Sequence, residues 1–157
     1  MHSKIYQITT EKLTDDGLIS ASTFDYEATD FADYVANLED YEQEAYLKDL
    51  DYILKGIFSR EGRELTYLGA ENFVNEWLAF LKEYIAIIRT EDMKDFYNRY
   101  KLKSFVNYTH REFYTRFYLG AEWETSAEPF GDFIMNIYGN YQPGQKFYVG
   151  GIVDFHF

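Results

Sequence analysis

Across residues 146–157, apolar side chains recur at every second position or a multiple of it: Phe147, Val149, Val153, Phe155 and Phe157. A period of two belongs to an extended strand, whose successive side chains point to opposite faces of a sheet. Such a strand needs partners for its backbone N–H and C=O groups, so it commits the chain to a sheet. Gly150-Gly151 inside the run marks a bulge or a close approach of other backbone. Residues 4–9, Lys-Ile-Tyr-Gln-Ile-Thr, suit a pleated surface and predict a first strand able to pair with the last.

Between these ends the period changes. Phe73, Trp77, Phe80, Leu81, Tyr84, Ile85 and Ile88 form one helical stripe, with Asn75, Lys82 and Glu83 largely away from it, which predicts a core helix. Tyr46, Leu47, Leu50, Ile53, Leu54 and Ile57 define another, whose first turn carries carboxylates suited to the positive end of a helix. Phe31, Tyr34, Val35 and Leu38 show the same spacing and predict a helix capped by Thr29 or Asp30. Thr90 is the expected cap of a further helix bearing Met93, Phe96, Tyr97 and Tyr100.

Glu61-Gly62 separates residues 57–60 from 63–68 as a small hairpin or a helix-to-helix loop. Asp15-Asp16-Gly17 is a turn signal, and residues 18–24 fit a short strand or an ordered loop. In residues 110–119, Phe113, Thr115, Phe117 and Leu119 alternate with His110, Glu112, Tyr114, Arg116 and Tyr118, as in a strand with one packed and one partly wet face. Pro129, Phe130, Phe133, Ile134, Ile137 and Gly139 favour a short helix, and residues 142–145 a turn. The order strand, helices, strands implies an α+β fold. Its mainly antiparallel sheet joins the N-terminal strand to the C-terminal strands, with the central helices packed on one face. A chain of 157 residues fits one globular domain, 1–157.

The formal net charge is −12, and it is unevenly spread. Residues 13–47 contain ten carboxylates and no Lys, Arg or His, interleaved with Phe24, Tyr26, Phe31, Tyr34, Tyr41 and Tyr46. This balance argues against broad binding to nucleic acid or anionic membranes. The absence of cysteine excludes disulfides, thiolate zinc sites and thiol nucleophiles. Residues 1–10 lack the apolar run of a secretory signal, and residues 77–88 are too short an apolar window to cross a bilayer. A soluble, cytoplasmic protein is the expectation.

Candidate chemistry is sparse. The histidines are His2, His110 and His156. Asp154 and His156 share one face of the last strand, as His110 and Glu112 do on the earlier one. If the strands were neighbours, the four would form a metal site or an acid/base pair. No metal-ligand motif, phosphate loop or nucleophile elbow supports catalysis, so no catalytic residue, metal ligand or cofactor is assigned. Residues 97–118 carry Arg99, Lys101, Lys103, Arg111 and Arg116 among aromatics and a single acid, Glu112. They suit either single-stranded nucleic acid or charge pairing with the acidic third, and the charge of the whole chain favours the second.

The leading expectation is a non-catalytic interaction protein that docks a basic protein surface, or a nucleic-acid-binding protein, through its acidic third. The contacts would be Asp25, Tyr26, Glu27, Asp30, Asp33, Glu39, Asp40, Tyr41, Glu42 and Glu44. Carboxylates would steer and the tyrosines would supply buried area. The alternatives are a DNA mimic that inhibits a nuclease or restriction enzyme, and a small metal-dependent enzyme using His110 and His156. The last strand also offers an edge for a homodimer.

Overall fold

The computed structural model describes residues 2–24, 32–90, 115–122 and 126–156. Their elements in chain order are β1 (His2–Thr9), β2 (Tyr34–Asn37), α1 (Asp40–Ile53), β3 (Phe58–Glu61), β4 (Glu64–Tyr67), α2 (Glu71–Thr90), β5 (Arg116–Leu119), β6 (Ala127–Pro129), α3 (Phe130–Asn140) and β7 (Lys146–His156). The fold is α+β. The seven strands form one sheet in the order β3-β4-β7-β1-β5-β6, with β2 also paired to β7. Every pairing is antiparallel except that of β1 with β5.

β7 organises this sheet. One of its edges pairs with β1 from His156 to Tyr148. The other is shared, with β4 against residues 146–148 and β2 against residues 153–156. In the gap between them the Val149 amide donates to the Arg63 carbonyl at 2.8 Å. The Arg63 guanidinium donates to the Gly150 carbonyl at 2.7 Å. Backbone that neither strand reaches is thereby satisfied.

The register changes from Tyr6↔Ile152 to Ile8↔Val149, so β7 carries one extra residue at the two glycines. A one-residue offset sends every later side chain to the other face. Phe147, Val149 and Ile152 accordingly lie in one core and Val153 and Phe155 in another. The expected alternation is present, but these residues do not share a face.

The larger core lies beneath the helices. Tyr6, Ile8, Phe117 and Phe147 of the sheet meet Leu47 and Leu50 of α1, Phe73 and Val74 of α2, and Phe130, Phe133 and Ile137 of α3. The rings of Phe117 and Phe133 stack with centroids 4.4 Å apart. Each such fully buried side chain contributes roughly 1.5–3 kcal/mol. On the opposite face Ile5, Tyr118 and Val153 are covered by Ile19 and Phe24, which follow β1. Among the described residues, then, the helices occupy one face and an irregular segment seals the other.

That segment is pinned by Gln7, which is fully buried. Its Oε1 accepts from the amides of Ile19 and Gly151 at 3.1 and 2.9 Å. Its Nε2 donates to the carbonyls of Gly17 and Gly120 at 2.8 and 2.9 Å. The two glycines make the approach possible. A Cβ at Gly150 would collide with the Gln7 side chain, and one at Gly151 with the Ile19 carbonyl. Bulge and close approach thus coincide.

Three expectations are corrected. Tyr34, Val35 and the residues beside them form strand β2, not a helix, because β7 offers an unpaired edge there; residues 29–31 lie outside the described residues. α2 is described as far as Thr90, and the helix expected to begin there and to carry Met93 to Tyr100 lies outside the described residues. Of the expected α2 stripe, Phe73 is buried and Trp77 packs against the core, whereas Ile85 is 45 % exposed. Phe117 and Tyr118 of β5 are both buried, on opposite faces, so this strand has no wet side there; positions 110–114 are outside the described residues. The hairpin at Glu61-Gly62 and the helix after Pro129 agree with the sequence.

Candidate functional site

The apolar residues Leu47 and Leu50 turn one side of α1 into the core. Helical geometry of 3.6 residues per turn then sends Tyr41, Ala45, Lys48 and Tyr52 outward along a single line. Tyr41 is 75 % exposed and Tyr52 76 %, and eleven residues of helix separate them by about 16 Å. Asp40, Glu44 and Asp51 run down one flank of the line, while Glu42 and Asp49 lie on the other. The start of the helix is fixed locally: the Glu42 carboxylate accepts the Glu39 amide at 2.9 Å, as in a capping box.

The cations near this face neutralise it only in part. Arg60 clamps Asp51 through Nε at 2.6 Å and Nη2 at 2.5 Å. The Asp51 carboxylate, helped by Glu44, raises the Arg60 pKa against a smaller opposing effect of burial. Arg63 lies 3.8 Å from Glu44, but it also donates to Gly150 and, at 3.2 Å, to Gln43. Glu39, Asp40 and Glu42 form no ion pair among the described residues.

Of the sequence-predicted contacts, Glu39, Asp40, Tyr41, Glu42 and Glu44 are brought together on the first turns of α1. Asp33 stands apart, at the head of β2, with Oδ2 3.2 Å from Nδ1 of His156. Asp25, Tyr26, Glu27 and Asp30 lie outside the described residues. Sequence reasoning missed Asp49, Asp51 and Tyr52, although the seven-residue step from Ala45 to Tyr52 was a usable signal.

A second cluster lies at the end of the sheet. His2 pairs with His156, and His156 with Tyr34, across β1, β7 and β2. The His2 and His156 ring centroids are 5.2 Å apart, and Tyr34 stacks on His156 at 5.5 Å. Asp154 receives His2 Nδ1 at 2.7 Å on one oxygen and the Lys4 ammonium on the other. Burial alone would raise the Asp154 pKa, but the hydrogen bonds from Lys4 and His2 hold it below the usual carboxylate value. Asp154 and His156 therefore do converge with a second histidine, and it is His2; His110 and Glu112 lie outside the described residues.

No group of three or more His, Asp or Glu side chains among the described residues is arranged to hold a metal ion. A cleft of about 390 Å³ beside α1 and α2 is lined by Ile53, Lys55, Leu68, Ala70, Glu71 and other residues. No helix among the described residues is long and apolar enough to cross a membrane. Compared with family models, curated proteins and solved structures, the chain matches none of them.

Proposed function

We propose that this protein is a non-catalytic interaction module that docks a basic protein partner on the outer face of α1. The reading is supported above all by Tyr41 and Tyr52, two large amphipathic side chains left about three-quarters exposed on one helical line between carboxylates. Tyrosines of this kind are enriched as interface anchors, because a rigid ring buries much area at little entropic cost. Single surface ion pairs contribute under about 1 kcal/mol, so the carboxylates act collectively. They steer a cationic surface toward the helix and reject anionic ones. A cytoplasmic setting belongs to the same proposal.

The test is titration of the protein with lysine- and arginine-rich helical peptides and small basic proteins, followed by fluorescence anisotropy. Binding should weaken steeply between about 50 mM and about 0.5 M salt, where screening shortens to a few ångströms. Tyr41→Ala and Tyr52→Ala should each reduce affinity at least about fivefold, as expected when an interface anchor is truncated. Affinity unchanged in both tyrosine variants and in the Asp40→Lys/Glu44→Lys double variant would remove α1 as the contact.

A further inference from the structure

We infer that Arg60 is an internal stand-in for a partner arginine: in the free protein its guanidinium occupies the Asp51 end of the α1 face, and docking exchanges it for a guanidinium of the partner. The inference rests on the docking reading and names the chemistry and the regulation of that same face. A carboxylate holds a guanidinium best through two parallel hydrogen bonds, one to each oxygen. Arg60 binds Asp51 in this way, with Nε 2.6 Å from Oδ1 and Nη2 2.5 Å from Oδ2. Asp51 directly precedes the exposed Tyr52. The docking face itself therefore displays, beside one of its anchors, the fork that an incoming arginine needs. A lysine ammonium cannot reproduce that fork.

The contact is built to be exchanged. Arg60 comes from β3, and its Nη1 donates to the Gly62 carbonyl in the turn of the β3–β4 hairpin. The guanidinium thus keeps an acceptor that does not depend on Asp51. The pair is also wet, for the Asp51 side chain is 48 % exposed. An ion pair of this kind moves an equilibrium by no more than about fivefold, so a partner that also covers Tyr52 can replace it. Arg63, from the same hairpin, is the contrasting case. It lies 3.8 Å from Glu44, but Gly150 and Gln43 hold it in place. Of the two arginines on this flank, Arg60 is therefore the exchangeable one.

Anisotropy titrations with an arginine-rich helical peptide and its all-lysine counterpart test the inference. At about 50 mM salt, Arg60→Gln should bind the arginine peptide at least about threefold more tightly than the wild type, because a two-oxygen acceptor is released. The gain should be smaller for the lysine peptide. It should vanish in an Asp51→Asn background, where Arg60→Gln has no carboxylate to release. Arg60→Lys keeps the charge and loses the fork, so it should gain less than Arg60→Gln, and it decides the matter if Arg60→Gln lowers the unfolding midpoint. A gain of full size in the Asp51→Asn background would trace the effect to net charge and overturn the inference, as would an equal gain for the lysine peptide. Wild-type binding that neither Arg60 variant strengthens would also overturn it, and would leave the docking face standing. No binding of either peptide by the wild type or the variants would remove the docking reading, and this inference with it.

Discussion

Gln7 shows how far one side chain can decide a local structure. Its four hydrogen bonds join the segment after β1, the turn after β5 and the bulge of β7. Replacement by leucine keeps the approximate volume but strands buried backbone donors and acceptors, each costing about 1–3 kcal/mol when it cannot reach water. Gln7→Leu should therefore lower the unfolding free energy by about 3 kcal/mol or more, read as a fall in the urea midpoint. Wild-type stability in that variant would show that the segment is held by Ile19 and Phe24 alone. Glu128 is the opposite case. Burial, and then the nearby Asp132, raise its pKa above the ordinary 4.5 in spite of a hydrogen bond from Asn136, and its Oε2 has no hydrogen-bond partner among the described residues. A carboxyl whose folded pKa is raised supports the fold fully below its unfolded pKa and withdraws that support as pH rises through the folded value. Glu128→Gln should match the wild type below about pH 4 and exceed it at pH 7, by at most about 1 kcal/mol given its partial exposure. Paired urea melts at the two pH values check the sign. In the sequence Gln7 was legible only as a strand residue, and Glu128 was not singled out, because burial is not a local property.

Two elements depend on where the backbone passes. In β7 the glycine pair was recognisable from sequence, yet it could not be known that the bulge transfers Val153 and Phe155 to the second core. Gly151→Ala meets a backbone oxygen, which cannot swing aside, whereas Gly150→Ala meets the side chain of Gln7. The first should be the more damaging, by about 2–4 kcal/mol against about 1–3 kcal/mol, measured by thermal or urea unfolding. Equal small effects would mean that β7 shifts its register. In β2, residues spaced like a helical face became a strand. Such spacing over a short apolar stretch carries little energy, while the unpaired backbone of residues 153–156 offers four residues a complete ladder. α1 and α3 were legible because eleven or more residues agree on one period. The outward half of α1 was only half legible: the acidic first turns stood out, but Tyr52, although inside the predicted helix, was not singled out, and the helix ends at Ile53, short of the expected Ile57.

At the scale of the whole molecule, a net charge of −12 opposes compaction through self-repulsion. Moderate salt should therefore raise the melting temperature by a few degrees between about 10 mM and about 0.3 M. A fall would mean that the attractive pairs, such as Arg60 with Asp51 and Lys146 with Glu64, outweigh the repulsion. The same salt should weaken the proposed docking, so stability and binding would move in opposite directions, a signature that separates screening from unfolding. Composition and period alone determined the α+β class, the antiparallel joining of the first and last strands, the helices α1, α2 and α3, and the concentration of carboxylates early in the chain. These follow from local spacing and from counts, which the chain carries with it. Only the tertiary structure decided that β2 is a strand, that β7 changes face at its bulge, that Tyr41 and Tyr52 share an uncovered line, and that His2 is the histidine meeting His156. Each of those depends on contacts between residues distant along the chain. There the free energy gained by completing a backbone ladder or filling a core exceeds the weak preference of a short segment for its own conformation.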